Sequence, residues 1–242
     1  FAADRYWVGG SGNWSDAKHW SGQSGGKGGS QIPAQNDDVY FDANSFSSEN
    51  QFVLVDKDAS CRTVSFEQLD KKAIIASSEN IRLYIYGSLK LSQNLTLGLH
   101  GPVHFRSAAK NNLILSFGNI LFCDIYFENA RGSWEVKDNF NSYANVILSE
   151  GNLKVSCDQF ASDYFVGSGT KTRSLVFSDT KIQIRKGWDL KEKQNLFFDA
   201  GKSELVFTSK EADDNFNSGN FKYNDINLFA ACTPSGNPCA FF

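Results

Sequence analysis

The sequence predicts an all-β protein built as a right-handed parallel β-helix, a β-solenoid, with a Trp-rich N-terminal cap. Three observations predict it. Apolar residues stand two apart in many short runs, so each run puts one face inward as a strand does. Glycines beside Ser, Asn or Pro separate these runs, and Ala, Leu and Glu never gather at a helical period. Apolar residues also recur at steps of about 20 residues, the interval expected when like strands stack in successive rungs. Val53, Ile74, Leu95, Leu115, Trp134, Leu153, Leu175 and Leu196 form that comb. Few NG or DG hairpin turns link the runs, which favours parallel stacking over an antiparallel sandwich.

Residues 1–46 differ in composition from the rest and are predicted to form the cap and the entry to the first rung. They hold Trp7, Trp14 and Trp20, three of the five tryptophans, among Gly, Ser, Asn and Asp. Such a segment has too few apolar residues for a core of its own. Its indoles are expected to cover the apolar end of a larger body while each ring N–H finds a backbone partner. Residues 21–30 are expected to form a mobile loop.

Residues 47–230 are predicted to be the solenoid body. Val53 and Val55, Leu83 and Ile85, Leu95 and Leu97, Val103 and Phe105, and Leu205 and Phe207 each share a face. Gly87, Gly101, Gly118, Gly132, Gly151, Gly167 and Gly187 mark turns. Residues 65–72 also read as one or two helical turns. Of the 21 Phe, those at strand positions such as Phe41, Phe105, Phe127 and Phe207 suit a solenoid interior.

Residues 231–242 are predicted to form a Cys-containing turn, either a closing cap or a linker to a following domain. Between Cys232 and Cys239 lie two prolines and a glycine, a turn-rich stretch whose ends can meet in a small disulfide loop. A disulfide fits an exported protein. Cys61, Cys123 and Cys157 lie in apolar strand-like runs and read as small buried hydrophobes. The chain has no Met, so something upstream is expected to have been removed. Phe1, Ala2 and Ala3 read equally as the end of a signal-peptidase site or as the place where the segment starts.

Charge and motifs narrow the function. The 242 residues carry a net charge of −3, and the 24 Lys plus Arg are scattered, which argues against nucleic acid as a partner. No run approaches the roughly 18 apolar residues of a transmembrane segment. Nucleophile-elbow, P-loop and zinc-protease patterns do not occur. Of the three histidines, His100 and His104 bracket Gly101 and Pro102, which forbids a helical metal pair, so a turn entering a strand is expected; His19 reads as surface. Asp37, Asp38, Asp42 and Asn44 put hard oxygen ligands within eight residues, a set that calcium accepts, although an Asp and Asn turn into the first rung is the preferred reading. Asp213 and Asp214 read as a solvated loop. No catalytic residue is assigned and no cofactor is expected apart from that calcium. Tyr84, Tyr86, Tyr126 and Trp188 are the candidate surface aromatics, as a structural ladder or as a sugar-stacking face.

The opening YWVGGSGNWSDAKHWS, a proline, and then DDVYFDANSF resemble the start of large secreted repeat proteins of Bacteroidota. YIYGSLKLS, RGSWEVKDNF, LSEGNLKV, TRSLVFSDTKIQIRKGW and LFFDAGKSELVFTS look like the body of the same group, in that order, so the resemblance covers nearly the whole chain. It implies pectin-lyase-like rungs in a cell-surface adhesin, exported by the type IX system and in some cases linked to gliding motility. An evident C-terminal sorting domain is missing and the chain ends at CAFF, so a fragment of a longer protein is expected.

The expected function is a non-catalytic module of a secreted bacterial surface protein, an adhesin or stalk. Its partners would be a cell-surface glycan or another surface protein, besides the secretion machinery. A polysaccharide-active lyase or hydrolase on the same scaffold is the alternative, and its mark would be a row of carboxylates with a Lys or Arg across adjacent rungs. A third reading is secretion-system cargo whose functional region lies elsewhere.

Overall fold

A computed structural model describes residues 2–229. The chain is nearly all β, 4% helical, and winds into a β-solenoid of about nine turns. The predicted parallel β-helix is therefore what forms. Cys232 and Cys239 lie outside the described residues.

Three stacks of parallel strands run along the body. The first begins with Gly12–Asn13, Gln51–Val55, Ala73–Ser77 and Leu95–Leu99, a four-stranded sheet in continuous register. Ile120–Leu121, Phe140–Ser142, Glu204–Phe207 and Asp225–Asn227 carry it on, together with the first halves of Gln159–Gly167 and Lys181–Asp189. The second stack starts with Ala59–Cys61, Leu83–Ile85 and Val103–Phe105. The third starts with Asp38–Tyr40, Val64–Ser65, Leu89–Lys90 and Asn112–Leu115. Ile125–Val136 and Asn145–Val155 turn a corner and serve both the second and third stacks.

Inward residues make one continuous core. Leu83, Val103, Ile125, Val146 and Phe165 stand over one another, as do Ile114, Val136, Val155 and Phe177. Phe105 stacks on Phe127 and Phe140 on Phe160, each pair with ring centroids 5.1 Å apart. An aromatic pair of this kind contributes about 0.5–1.5 kcal/mol beyond its area burial. The predicted comb is correct only in part. Trp134, Leu153 and Leu175 are true register partners, but Val53 pairs with Ile75, Leu95 with Ala73, and Leu196 with Arg173. Turn lengths vary from rung to rung, so a fixed step slips by a residue and lands on the outward face, as at Ile74 and Leu115.

Two turns show why glycine is required. At Gly101 a Cβ would lie 1.7 Å from the Ile81 carbonyl oxygen of the rung below. Gly151 has φ +90° and leaves room for the Trp134 ring, which a Cβ would approach to 2.9 Å.

The Trp-rich segment packs over the first rung. Asp4–Trp7 pairs antiparallel with Trp20–Ser21 and parallel with Asp38–Tyr40. Trp7, Trp14 and Trp20 are buried to within 2% exposure and pack edge to face on one another. They close on Phe41, which stacks on Phe66 at 4.3 Å. The Trp7 Nε1 donates to the Gly10 carbonyl and the Trp20 Nε1 to the Trp14 carbonyl, both at 2.7 Å. Trp14 departs from expectation, because its buried Nε1 has no partner among the described residues.

Several other expectations are corrected. His19 is half-buried, stacked on Trp7 at 4.7 Å, with Nδ1 2.9 Å from the Val8 carbonyl oxygen. The expected mobile loop is tied at its end, where the Gly29 and Ser30 amides donate to the Trp20 carbonyl. Residues 65–72 hold a turn and no helix. Asp213 and Asp214 belong to a short helix, Lys210–Asp214, whose Ala212 is buried and whose N-cap is Ser209. The Ser209 hydroxyl also donates to the Arg185 carbonyl at 2.6 Å, fastening the helix to the rung below.

Candidate functional site

The four oxygen-rich residues near the cap are held apart by separate partners. Asp37 accepts from the Ala3 and Ala34 amides and faces Arg5 at 3.7 Å. Asp38 is paired with Arg62 and accepts from the Thr63 amide. Asp42 accepts from the Asn44 amide at 2.9 Å, an Asx turn, and Ser45 closes it. The geometry is that of a turn into the first rung. Among the described residues no group of three or more His, Cys, Asp or Glu is placed to hold a metal ion.

The candidate aromatics divide. Trp188 is fully buried, so its reading as a surface residue is wrong. Its indole packs on Phe165 at 4.8 Å and its Nε1 donates to the Tyr223 hydroxyl at 2.9 Å. Trp188 stands on the same parity as the inward Ile182 and Ile184 of its strand, a signal that alternation in the sequence already carried. Tyr84 and Tyr126 are half-buried on the outward face of the second stack, with His104 between them as register partner. The ring centroids are 5.1 and 4.8 Å apart, so the three rings form a ladder. Tyr86, also half-buried, lies just beyond it.

Charge surrounds this ladder. Glu128 accepts from the Arg106 Nε at 2.9 Å and lies 3.1 Å from the His104 Nδ1. The Arg106 guanidinium lies 4.4 Å from the centre of the Tyr84 ring. Burial pulls the His104 imidazole below its usual range against the opposing pull of Glu128. For Arg106 burial works against the cation, but the hydrogen bond and charge of Glu128 outweigh it and hold the guanidinium above its ordinary range. A permanently charged Arg is a poor general base. Glu128 and Glu150 are register partners in adjacent rungs, and Asp158, Asp179 and Glu204 line a cavity with Lys181 and Lys202 across adjacent rungs, so both places carry part of the carboxylate row expected of an enzyme. Glu128 is engaged by Arg106 and His104, and Glu150 by the Ala130 amide at 3.1 Å.

A second aromatic row, missed in the sequence, lies at the corner between the first and second stacks. Phe122 and Tyr143 are about half exposed and stack at 5.8 Å. The Arg185 guanidinium follows, 4.1 Å from the centre of the Tyr143 ring. Arg185 is fixed by Asp163 at 2.7 Å and by the Asn141 side-chain oxygen at 3.2 Å, and it also donates to the Ser142 carbonyl. Lys186 reaches the other oxygen of Asp163 at 2.7 Å. Burial alone would raise the Asp163 carboxyl, yet the hydrogen bonds and charges of Lys186 and Arg185 outweigh it and hold it below the ordinary carboxylate range. The only signal in the sequence was that each apolar or aromatic residue follows a strand by one position, which by itself says nothing about stacking across rungs.

The three cysteines within the described residues are free and buried. Burial pushes the Cys61 thiol up strongly, Cys123 to about 12 and Cys157 to about 11, so these are packing groups and not nucleophiles. No helix is long and apolar enough to cross a membrane among the described residues. No family model matches the chain, nor does any curated protein or solved structure. The resemblance read from the Trp-rich opening therefore stands on those motifs alone, and the fold stands on the coordinates.

Proposed function

We propose that the chain is a non-catalytic recognition and spacer module of an exported bacterial surface protein, binding glycan along one edge of a stiff solenoid. The observation that carries this reading is the row Phe122, Tyr143 and Arg185, two half-exposed rings followed by a partly buried guanidinium, whose flat groups stack along the body axis. Half-exposed rings held rigid by neighbours offer apolar faces at little entropic cost, which is what sugar rings require of a protein surface. Parallel ladders on three sides make the body resist bending, a property suited to a stalk. The test is binding of the purified chain to a glycan array, repeated with Tyr143→Ala. Loss of signal with an unchanged melting temperature supports the reading; binding to no glycan removes it.

A further inference from the structure

Beside the aromatic row lies a second set of outward residues on the same strands. Ile120, Asn141, Ala161 and Gln183 are successive register partners in the first stack. Phe122, Tyr143 and Arg185 follow three of them by two positions, the two rings just beyond the strand ends. Ala161, with only a methyl group, stands between Asn141 and Gln183 and leaves a notch in the row. Around it is a cavity of about 230 Å³, rimmed by the amides of Asn139, Asn141, Gln159 and Gln183. This rim holds no carboxylate and no ammonium group. Arg185 joins the notch to the aromatic row through Asn141 and shares the single carboxylate of Asp163 with Lys186. Lys181, the register partner of the rim residue Gln159, lines a separate cavity with Asp158, Asp179 and Glu204.

We infer that this notch and the adjoining aromatic row form one binding site for a neutral hexose glycan, with the sugar chain running along the solenoid axis. The inference rests on the glycan-recognition reading above and adds a place and a ligand class. Each amide carries two N–H donors, and the Gln159 and Gln183 oxygens add acceptors beside those of Asn139 and Asn141, which already accept from the Gln159 backbone amide and from Arg185; this set matches hydroxyl groups that both donate and accept. Inside the notch, whose lining holds no charged residue, a uronate or sulfated sugar would meet only amides, and desolvating its charge there is unfavourable. Rungs repeat at about 4.8 Å, close to the length of one pyranose unit. A chain lying along the axis therefore meets a new ring or amide at each sugar.

An array of neutral hexose oligosaccharides and oligogalacturonates tests the site. The wild-type chain should bind neutral members and not oligogalacturonates. Gln183→Ala, and separately Ala161→Gln to fill the notch, should each weaken that binding at least tenfold without shifting the melting temperature. Binding only to oligogalacturonates, or neutral binding unmoved by both variants, overturns the inference while glycan recognition by the aromatic edge stands. Binding to no glycan overturns both.

Discussion

Replacing cap tryptophans separates what each indole does. Trp14 is 2% exposed and lies 4.9 Å from Trp20 and 6.2 Å from Phe41, so Trp14→Ala opens a cavity over the first rung. Such a truncation costs about 3–5 kcal/mol, and at roughly 2–4 °C per kcal/mol for a chain of this length the melting temperature should fall by roughly 6–20 °C. Lys27→Ala, on the exposed loop, should stay within about 0.5 kcal/mol of wild type. Phenylalanine variants sharpen the comparison. Trp14→Phe removes a buried N–H that has no partner, whereas Trp20→Phe removes the donor to the Trp14 carbonyl and strands that oxygen. Leaving such an acceptor unpaired costs about 1–3 kcal/mol, so Trp20→Phe should be the more damaging of the two by about that amount. Denaturant unfolding gives the difference. Hydrogen exchange at the Val8 amide, which bonds to the His19 carbonyl at 2.9 Å, reports whether the cap opens by itself. Equal losses for the two Phe variants, or no excess loss for Trp14→Ala over Lys27→Ala, would refute this account of the cap.

Three further outcomes are expected. Asp163 has its folded pKa held below the unfolded value, so its ion pairs stabilise the protein above about pH 4 and that contribution is lost as pH falls through the folded pKa. Asp163→Asn should flatten the acid side of a plot of melting temperature against pH; an unchanged acid limb counts against the pairing with Arg185 and Lys186. Gly101→Ala drives a methyl into the Ile81 and Ser78 carbonyls and should destabilise by about 1–3 kcal/mol, whereas Lys27→Ala is neutral; a wild-type melting curve for Gly101→Ala would show that the rungs there are further apart. Native protein treated with iodoacetamide at pH 8 should leave Cys61, Cys123 and Cys157 unmodified, with all three labelled after denaturation. In the same peptide map, free thiols at Cys232 and Cys239 without reductant would end the expectation of a disulfide there.

Legibility differed between fold and site for physical reasons. Alternation such as Leu83 and Ile85 is local to a strand, so inward and outward faces could be read directly. His104 was expected only as a residue entering a strand, because its stacking partners Tyr84 and Tyr126 lie one rung away on either side. Trp188 was misplaced although it shares the parity of the inward Ile182 and Ile184 in its own strand, which alternation alone would have read as inward.

The order of residues determined by itself that strands would be short, that glycines would turn them, and that three indoles at the start would cover the end of the body. Those properties depend on side-chain period and backbone freedom within a few residues. Only the tertiary structure decided which outward side chains meet. Each rung is closed by turns of different length, as between Val64 and Leu89 or Val136 and Val155. The alignment of Phe122 with Tyr143, and of Asn141 with Ala161 and Gln183, is set by backbone hydrogen bonding between rungs that no local pattern encodes.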